Sequence, residues 1–575
     1  PLHGNETEYD GLAITDVYVL AAPDAADDTT APVLVSSIPA NDSEGASVNG
    51  SVVLTFDEKV QAGEARAILN GKELEASVAG KVAIFKYSGL DYATKYIFSM
   101  PEGAVVDRNG NKAAALDITF TTMTRTAPES RLYDAVVDID GTGDYVSLQA
   151  AIDAAPAGRI SPWLIFVHNG RYKEHIDIPA NKPFIHIIGQ DRDKTVIYDD
   201  RLCGGENAVH VSVGSTLVVH ANDCFFENIT FENSYGHEMK NGPQALAVNT
   251  EGDRAVFNNV AMLSYQDTWI TPSKSSNRVY VHNSFIEGAV DFIYNSGDIF
   301  IDNTTLYINR ESGGYIVAPS HAADVKWGYV FRDCKITAPG DPSKTSVWLG
   351  RPWHNYPKTV FLNTCAEVTI PAAGWYDHMG GLPAIWADWN TYDANGNLLD
   401  LSQRRDTYWM EVNGEKVYGT AKNFLTDEEA AQYTLDNVLA GSDAWNPAIK
   451  TEACSAPDVR VDGNELTWDA VPYAICYVII NGDEVMGFTT DTKYTASADP
   501  KDCVVRAVNE FGGLSPLSSN GSTGVTDIES ADGFEIVAVY DINGIRLKSP
   551  VPGLNIIVKE NPAGMRKVEK LMIHK

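Results

Sequence analysis

A chain of 575 residues, 44% of them hydrophobic, is too long for one ordinary domain and can bury several cores. Its formal net charge of −33 argues against nucleic acid or an anionic membrane as partner, because both would be repelled. No run of about 18 apolar residues occurs, so no helical segment spans a membrane. The 46 glycines, 27 prolines and many Asn-Gly pairs, set among short Val/Ile/Phe/Tyr runs, predict a mainly β protein of three to five domains. Seven widely spaced cysteines form no CxxC pair, which speaks against zinc and leaves at least one thiol unpaired. A first residue of Pro1 rather than Met is the expectation for a processed product.

Residues 1–28 end in the Ala/Asp/Thr-rich "APDAADDTT" and read as a linker after the remnant of an upstream strand. Over 29–124, from "APVLVSSIPAND" to "LDITFTT", strand-length runs alternate with the turns "NGS", "NGK" and "DRNGN", the pattern of a small β-sandwich. The stretch "SVVLTFDEKV" resembles bacterial Ig-like domains, which implies a spacer or adhesive module.

The texture changes over 125–450. "VVDIDGTGDYVSLQAAIDAAP" predicts a strand, a Gly-rich turn and a short helix with Leu148, Ala151 and Ile152 on its apolar face. A phrase then recurs: "FFENIT", "VFNNVA", "YVHNSF", "FIDNTT", "VFRDCK" and "VFLNTC". Aligned on Asn228, Asn259, Asn283, Asn303, Asp333 and Asn363, the copies are 31, 24, 20, 30 and 30 residues apart. Strand-forming repeats of that length predict a right-handed parallel β-helix whose coils stack at about 4.8 Å.

One coil apart in sequence is one strand apart in space. Asp267 and Asp291 differ by 24 positions and Gln244 and Gln266 by 22, so these four side chains are expected in one polar column. Two carboxylates that close cannot both ionise easily, and one becomes available as an acid. Arg351 in "WLGRPW" offers the fork that would keep the other ionised. The glutamines are neutral donors suited to an oxyanion. Read singly, Asp267 suits a solvated turn, and the glutamines suit a ladder of stacked amides. His210, His220 and His237 lack metal-ligand spacing and read as structural.

Five ordered stretches resemble the signature blocks of pectin methylesterases: "GRYKE", "GPQALAV", "SYQDTW", "GAVDFIY" and "LGRPW". The opening "DGTGDYVSLQAAIDAAP" and the closing "NVLAGSDAWNPA" resemble the family's ends. The resemblance implies Asp291 as nucleophile, Asp267 as general acid then base, Gln244 and Gln266 as anion-hole donors, and Arg351 as the group positioning the nucleophile. It implies Trp353, Trp375 and Tyr294 as aromatics lining a sugar groove, no cofactor or metal, and methyl-esterified homogalacturonan as substrate. "FIYNSG" and "YIVAPSHAA" depart from the family pattern, which bears on subsite preference. A pectate lyase or polygalacturonase would share fold and polymer. A lyase, however, wants calcium-binding acids and a cationic base, and an inverting hydrolase wants carboxylates about 6.5 to 9.5 Å apart. Neither explains two glutamines. A non-catalytic carbohydrate-binding surface protein is the third reading.

Residues 451–522, with "NELTWDAVPYAICYVIING" and "CVVRAVNEFGGLSPLS", resemble a fibronectin type III-like sandwich. Residues 523–575 resemble bacterial C-terminal sorting domains, and from 541 on carry seven Lys/Arg against three Asp/Glu. Together these imply a secreted or cell-surface, monomeric bacterial enzyme with accessory modules.

Overall fold

The structure is a computed structural model describing residues 28–310, 312–497 and 499–520, together with the backbone of four later strands. Strands take up 43% of the described residues and helices 8%, so β-structure sets the architecture.

Residues 134–393 coil into a parallel β-helix of three sheets. The first has ten strands, from Ala135–Val137 to Ile385–Trp389. The second has nine, from Gly170–Lys173 to Tyr392–Asp393, and the third has seven, from Ile176–Ile178 to Ser346–Gly350. Adjacent strands in all three run parallel, each lying over its equivalent one coil on. The recurring Asn or Asp makes the corner between the first and second sheets. Asn228, Asn259, Asn283, Asn303, Asp333 and Asn363 all hold left-handed backbone, with φ from 46° to 55°, a region that Asn and Asp enter more cheaply than other residues with a Cβ. The side chains stack as well: Asn259 Nδ2 donates to Asn228 Oδ1 at 2.7 Å. Asn390, at φ 53°, adds a seventh corner and donates to Asn363 Oδ1 at 2.7 Å.

Inside the coil, like residues stack on like. Phe226 lies on Phe257 with centroids 4.8 Å apart, and Phe331 on Phe361 at 4.2 Å. The expected helix, Leu148–Ala154, closes the N-terminal end with Leu148, Ala151 and Ile152 buried. Glu174 of the "GRYKE" block accepts from the Leu148 and Gln149 N–H groups at 2.9 and 3.0 Å, satisfying two donors of the helix start.

The outer face of the first sheet is covered. Helices Asp427–Ala431 and Leu435–Leu439 bury Ala430, Val438 and Leu439 against Phe225, Val256, Tyr280 and Phe300. Farther along, Leu164, Phe166 and Ile188 pack on Cys476, Val478 and Leu514 of the following module. Strands buried on both faces carry apolar runs such as "WLIFV" in place of alternation.

Residues 28–122 form two facing sheets of four and five strands plus a two-stranded ribbon, around Val52, Leu54, Phe85, Phe98 and Phe120. Residues 458–520 form sheets of four and three strands, with Trp468 against Tyr477. The later strands Glu535–Tyr540, Arg546–Leu547, Gly553–Glu560 and Arg566–Ile573 pair antiparallel. The rest of the sorting-like segment and residues 1–27 lie outside the described residues. Cys203, Cys224, Cys334, Cys365, Cys454 and Cys476 are free thiols.

One expected groove aromatic is misplaced by the sequence reading. Trp375 is fully buried and stacks on Trp386 at 4.7 Å inside the coil, so it lines no groove. Gly374, at φ 71°, turns the chain here, and the side chain that emerges is that of the next residue, Tyr376. Replacing Trp375 with Ala should therefore lower stability by about 3–5 kcal/mol, measured as a fall in the urea midpoint at unchanged m. Trp353→Ala, at a half-exposed position, should move that midpoint far less.

Candidate active site

The expected polar residues converge on the third sheet, where Val211 of the short helix Val211–Gly214 packs beside Leu246 and Ile270. Gln266 pairs with Val290 and Trp269 with Ile293, both 24 apart, so Asp267 and Asp291 stand on adjacent rungs. Val248 pairs with Trp269, 21 apart, and the Ala245 N–H donates to the Gln266 carbonyl at 3.2 Å. Gln244 thus falls one position short of Gln266 on the preceding rung, because the chain enters this strand from the turn at Gly242 and Pro243. Both aspartates hold left-handed backbone, Asp267 at φ 61° and Asp291 at φ 50°. At Asp291 the pairing register also shifts between Val290 and Ile293, a bulge that turns its side chain out of the regular pleat. At Asp291 the left-handed backbone and the broken register coincide.

Arg351 follows the last strand of the sheet, two rungs beyond Asp291. Its Nε donates to Asp291 Oδ1 at 2.8 Å and to Oδ2 at 3.1 Å, and its Nη2 donates to Oδ2. The preceding Gly350 permits the close approach of this rung: a Cβ there would lie 2.4 Å from Val317 Cγ2 and 2.7 Å from the Val317 carbonyl.

The two acids differ in what surrounds them. Burial raises the Asp267 carboxyl well above its ordinary value; the Asp291 charge adds to this, and Arg351 opposes it. Among the described residues the Asp267 carboxylate receives no hydrogen bond. Burial also raises Asp291, but there the Arg351 fork pulls directly against it. One carboxyl is thus disposed to keep its proton and the other to remain an anion.

The glutamine side chains frame the pair. Neither the Gln244 nor the Gln266 amide has a hydrogen-bond partner among the described residues, so both are free to donate outward. Gln244 packs over the bare backbone of Gly204, where a Cβ would lie 1.8 Å from Oε1, and its carbonyl accepts from the Cys203 N–H at 2.8 Å. Tyr294 is buried at the floor with its ring 5.5 Å from Trp353, which is half-buried at the rim. With Leu246, Ile270 and Ala318 they make an apolar wall beside the acids. Burial and the neighbouring Asp267 push the Cys203 thiol up to about 11.

The sequence reading passed over Tyr315 and Tyr376. The Arg351 guanidinium lies 4.3 Å from the Tyr315 ring centroid, and Tyr376 meets Tyr315 at 5.3 Å. Tyr376 directly follows Trp375 in "AGWYD", and that adjacency is its one signal in the sequence. Tyr315 lies in "YIVAPSHAA", whose departure from pattern also has a packing reason. His321 is buried and accepts from the Lys358 N–H at 3.0 Å. His210, His220 and His237 each have their own protein partner, Ser212, Asp177 and Glu287 respectively. Among the described residues, one group of carboxylates could share a cation: Asp28, Glu58 and Asp107 in the N-terminal module. There Asp107 already accepts from Asn109 and Asn111.

Comparison with known proteins follows this geometry. The family model described as pectinesterase matches residues 134–442, and that of a bacterial Ig-like domain matches residues 28–122. The probable pectinesterase/pectinesterase inhibitor 23 of Arabidopsis thaliana is 28% identical over 324 residues, covering 55% of this chain and 53% of that protein. Pectinesterase 31 of the same plant is 31% identical over 250 residues, covering 42% of this chain and 76% of that protein. The chain spans about half the length of the first of these relatives. A solved pectin methylesterase from carrot aligns with a TM-score of 0.47 at 23% identity, over 56% of this chain and 97% of that one. With more than half its length matched by the family model, the chain belongs to the pectinesterase family.

Proposed function

We propose that this chain is a pectin methylesterase that hydrolyses the C6 methyl ester of homogalacturonan to a carboxylate and methanol. The observation that carries the reading is the unequal pair, Asp291 held by the Arg351 fork beside Asp267 held by burial. An Asp291 oxygen attacks the ester carbonyl carbon, and the electron pair of the C=O bond moves to its oxygen. The amide N–H groups of Gln244 and Gln266 donate to that oxyanion. As the carbonyl re-forms, the bond to the methoxy oxygen breaks, Asp267 gives that oxygen its proton, and methanol leaves. The acyl group is now an anhydride on Asp291. Asp267, ionised, takes a proton from water whose oxygen attacks the same carbon, and Asp291 departs as carboxylate. The product acid ionises, and Asp267 is again protonated.

Trp353 supplies a platform for the sugar ring, with Tyr294 fixing its inner edge. The same reading assigns residues 125–450 to the esterase and 29–124 to an Ig-like accessory module. It assigns 451–522 to a fibronectin type III-like module and 523–575 to sorting, on a secreted or cell-surface monomer. Among the described residues no helix is long and apolar enough to cross a membrane.

The deciding experiment gives the protein highly methylated pectin in excess chelator. Methanol release with falling pH, constant viscosity and no ultraviolet-absorbing ends is expected, and polygalacturonate should be left untouched. Chelator-sensitive unsaturated ends would make it a lyase, and new reducing ends with falling viscosity a glycoside hydrolase. No signal at all would leave a binding protein.

Asp291→Asn should abolish methanol release while the protein stays folded. Gln244→Ala should cost about 10² to 10³ in kcat; a loss below tenfold would return Gln244 to a stacking role. The pH profile of kcat/KM should be a bell with both limbs set by aspartates. Activity needs Asp291 ionised and Asp267 protonated, and Asp267 is raised further. The acid limb therefore reports Asp291 and the alkaline limb Asp267. In the residual activity of Asp267→Asn the alkaline limb should vanish, and its persistence would remove Asp267 from the acid role.

A further inference from the structure

The three hydrogen bonds along one edge fix the distance between Arg351 and Asp291 but leave the guanidinium free to tilt about that edge. Its face needs a second support. Tyr315 provides one from the intervening rung, with its ring centroid 4.3 Å from the Arg351 Cζ. The register brings the strands together: Val290, Tyr315 and Trp348 pair in succession and stack in one column, with Arg351 three residues past Trp348. Tyr315 comes just after a second irregularity, between Ser312 and Tyr315. The ring is itself backed. Tyr376 meets it edge-on at 5.3 Å and 71° and is steadied by Trp348 at 5.8 Å and His378 at 5.0 Å. The Tyr376 N–H donates to the Gly350 carbonyl at 2.9 Å, tying this backing to the residue next to Arg351.

We propose that Tyr315 is a positioning residue that holds the Arg351 fork in the plane of the Asp291 carboxylate. The inference rests on the reading of Asp291 as the attacking group. An aromatic face attracts a guanidinium and also blocks its rotation. A flat fork keeps both Asp291 oxygens bonded and the attacking lone pair aimed outward. A tilted one stabilises the carboxylate less, so the group protonates at higher pH. The other ionisable groups facing this carboxylate are Asp267 and Tyr294, both unchanged by a substitution at Tyr315.

The test compares Tyr315→Phe, Tyr315→Leu and Tyr315→Ala in the full chain, with methanol release followed across pH and folding followed by near-ultraviolet circular dichroism and Tm. Leu and Ala should lose about tenfold in kcat, with KM within about twofold of the starting enzyme and the acid limb moved to higher pH. Phe, which keeps the face, should restore both kcat and the limb. A Leu variant with undiminished kcat and an unmoved limb would overturn the proposal. So would a loss confined to KM or to the folded fraction, or a Phe variant as poor as Leu. Asp291→Asn run alongside separates the two layers. Turnover by that variant would sink the functional reading, whereas a dead Asp291→Asn beside a normal Tyr315→Leu would sink only the role of Tyr315.

Discussion

Everything in this protein depends on strands lying in register over their equivalents one coil away. Backbone hydrogen bonds between rungs fix that stacking, and the left-handed Asn corners keep each coil turning at the same place although coil length varies from 20 to 31 residues. Length differences are absorbed elsewhere in the coil, so a residue near a corner or in a strand keeps its neighbours above and below. Register is what lets residues 60 positions apart, Asp291 and Arg351, share two hydrogen bonds at fixed geometry.

The same stacking creates the electrostatic problem that the site exploits. Adjacent rungs bring Asp267 and Asp291 together where burial penalises both charges. One cation cannot serve both equally, and the sheet order decides which acid receives it. Arg351 enters two rungs beyond Asp291 and three beyond Asp267, so its fork closes on the nearer acid. The farther acid is left with the burial penalty and the neighbouring charge, and both raise its carboxyl. Division of labour between two identical side chains thus follows from the order of strands in one sheet.

How much of this was legible depends on whether a feature leaves a periodic trace. The Asn corners do, because left-handed backbone restricts residue choice, and so the solenoid could be read with its coil lengths. The Asp267–Asp291 offset of 24 survives because that coil is regular from Gln266 to Ile293. The Gln244 offset was read one residue long, since the turn at Gly242 and Pro243 lies outside any repeat. Trp375 was misjudged because a motif assigns an aromatic to a neighbourhood, whereas the turn of the chain at Gly374 assigns it to a side. Tyr315 left no trace at all. Its contact with Arg351 comes from an irregular register and a neighbour one rung off, and neither is written in local pattern.

Composition was least informative about how the modules meet. The boundary between the units read as 29–124 and 125–450 falls at Arg125, which is the pin of a three-way junction. Its Nε donates to Glu510 at 2.8 Å and its Nη1 to the Tyr92 hydroxyl at 2.9 Å, and its guanidinium lies 4.4 Å from the Tyr473 ring centroid. Beside it Glu452 is buried and pushed up to about 7, first by that burial and then by the charge of Glu510. On the other side the Asp427 carboxylate accepts from the Lys81 N–H and from Trp389 Nε1, both at 2.8 Å, joining the N-terminal module to the β-helix. Glu227, on the first sheet, accepts from the Leu514 N–H at 2.9 Å and Asn258 Nδ2 at 2.8 Å, joining the module that follows. These contacts all fall around the first sheet or its ends. Modules docked there remove one side of the coil from solvent, while Asp267 and Asp291 stand on the third sheet.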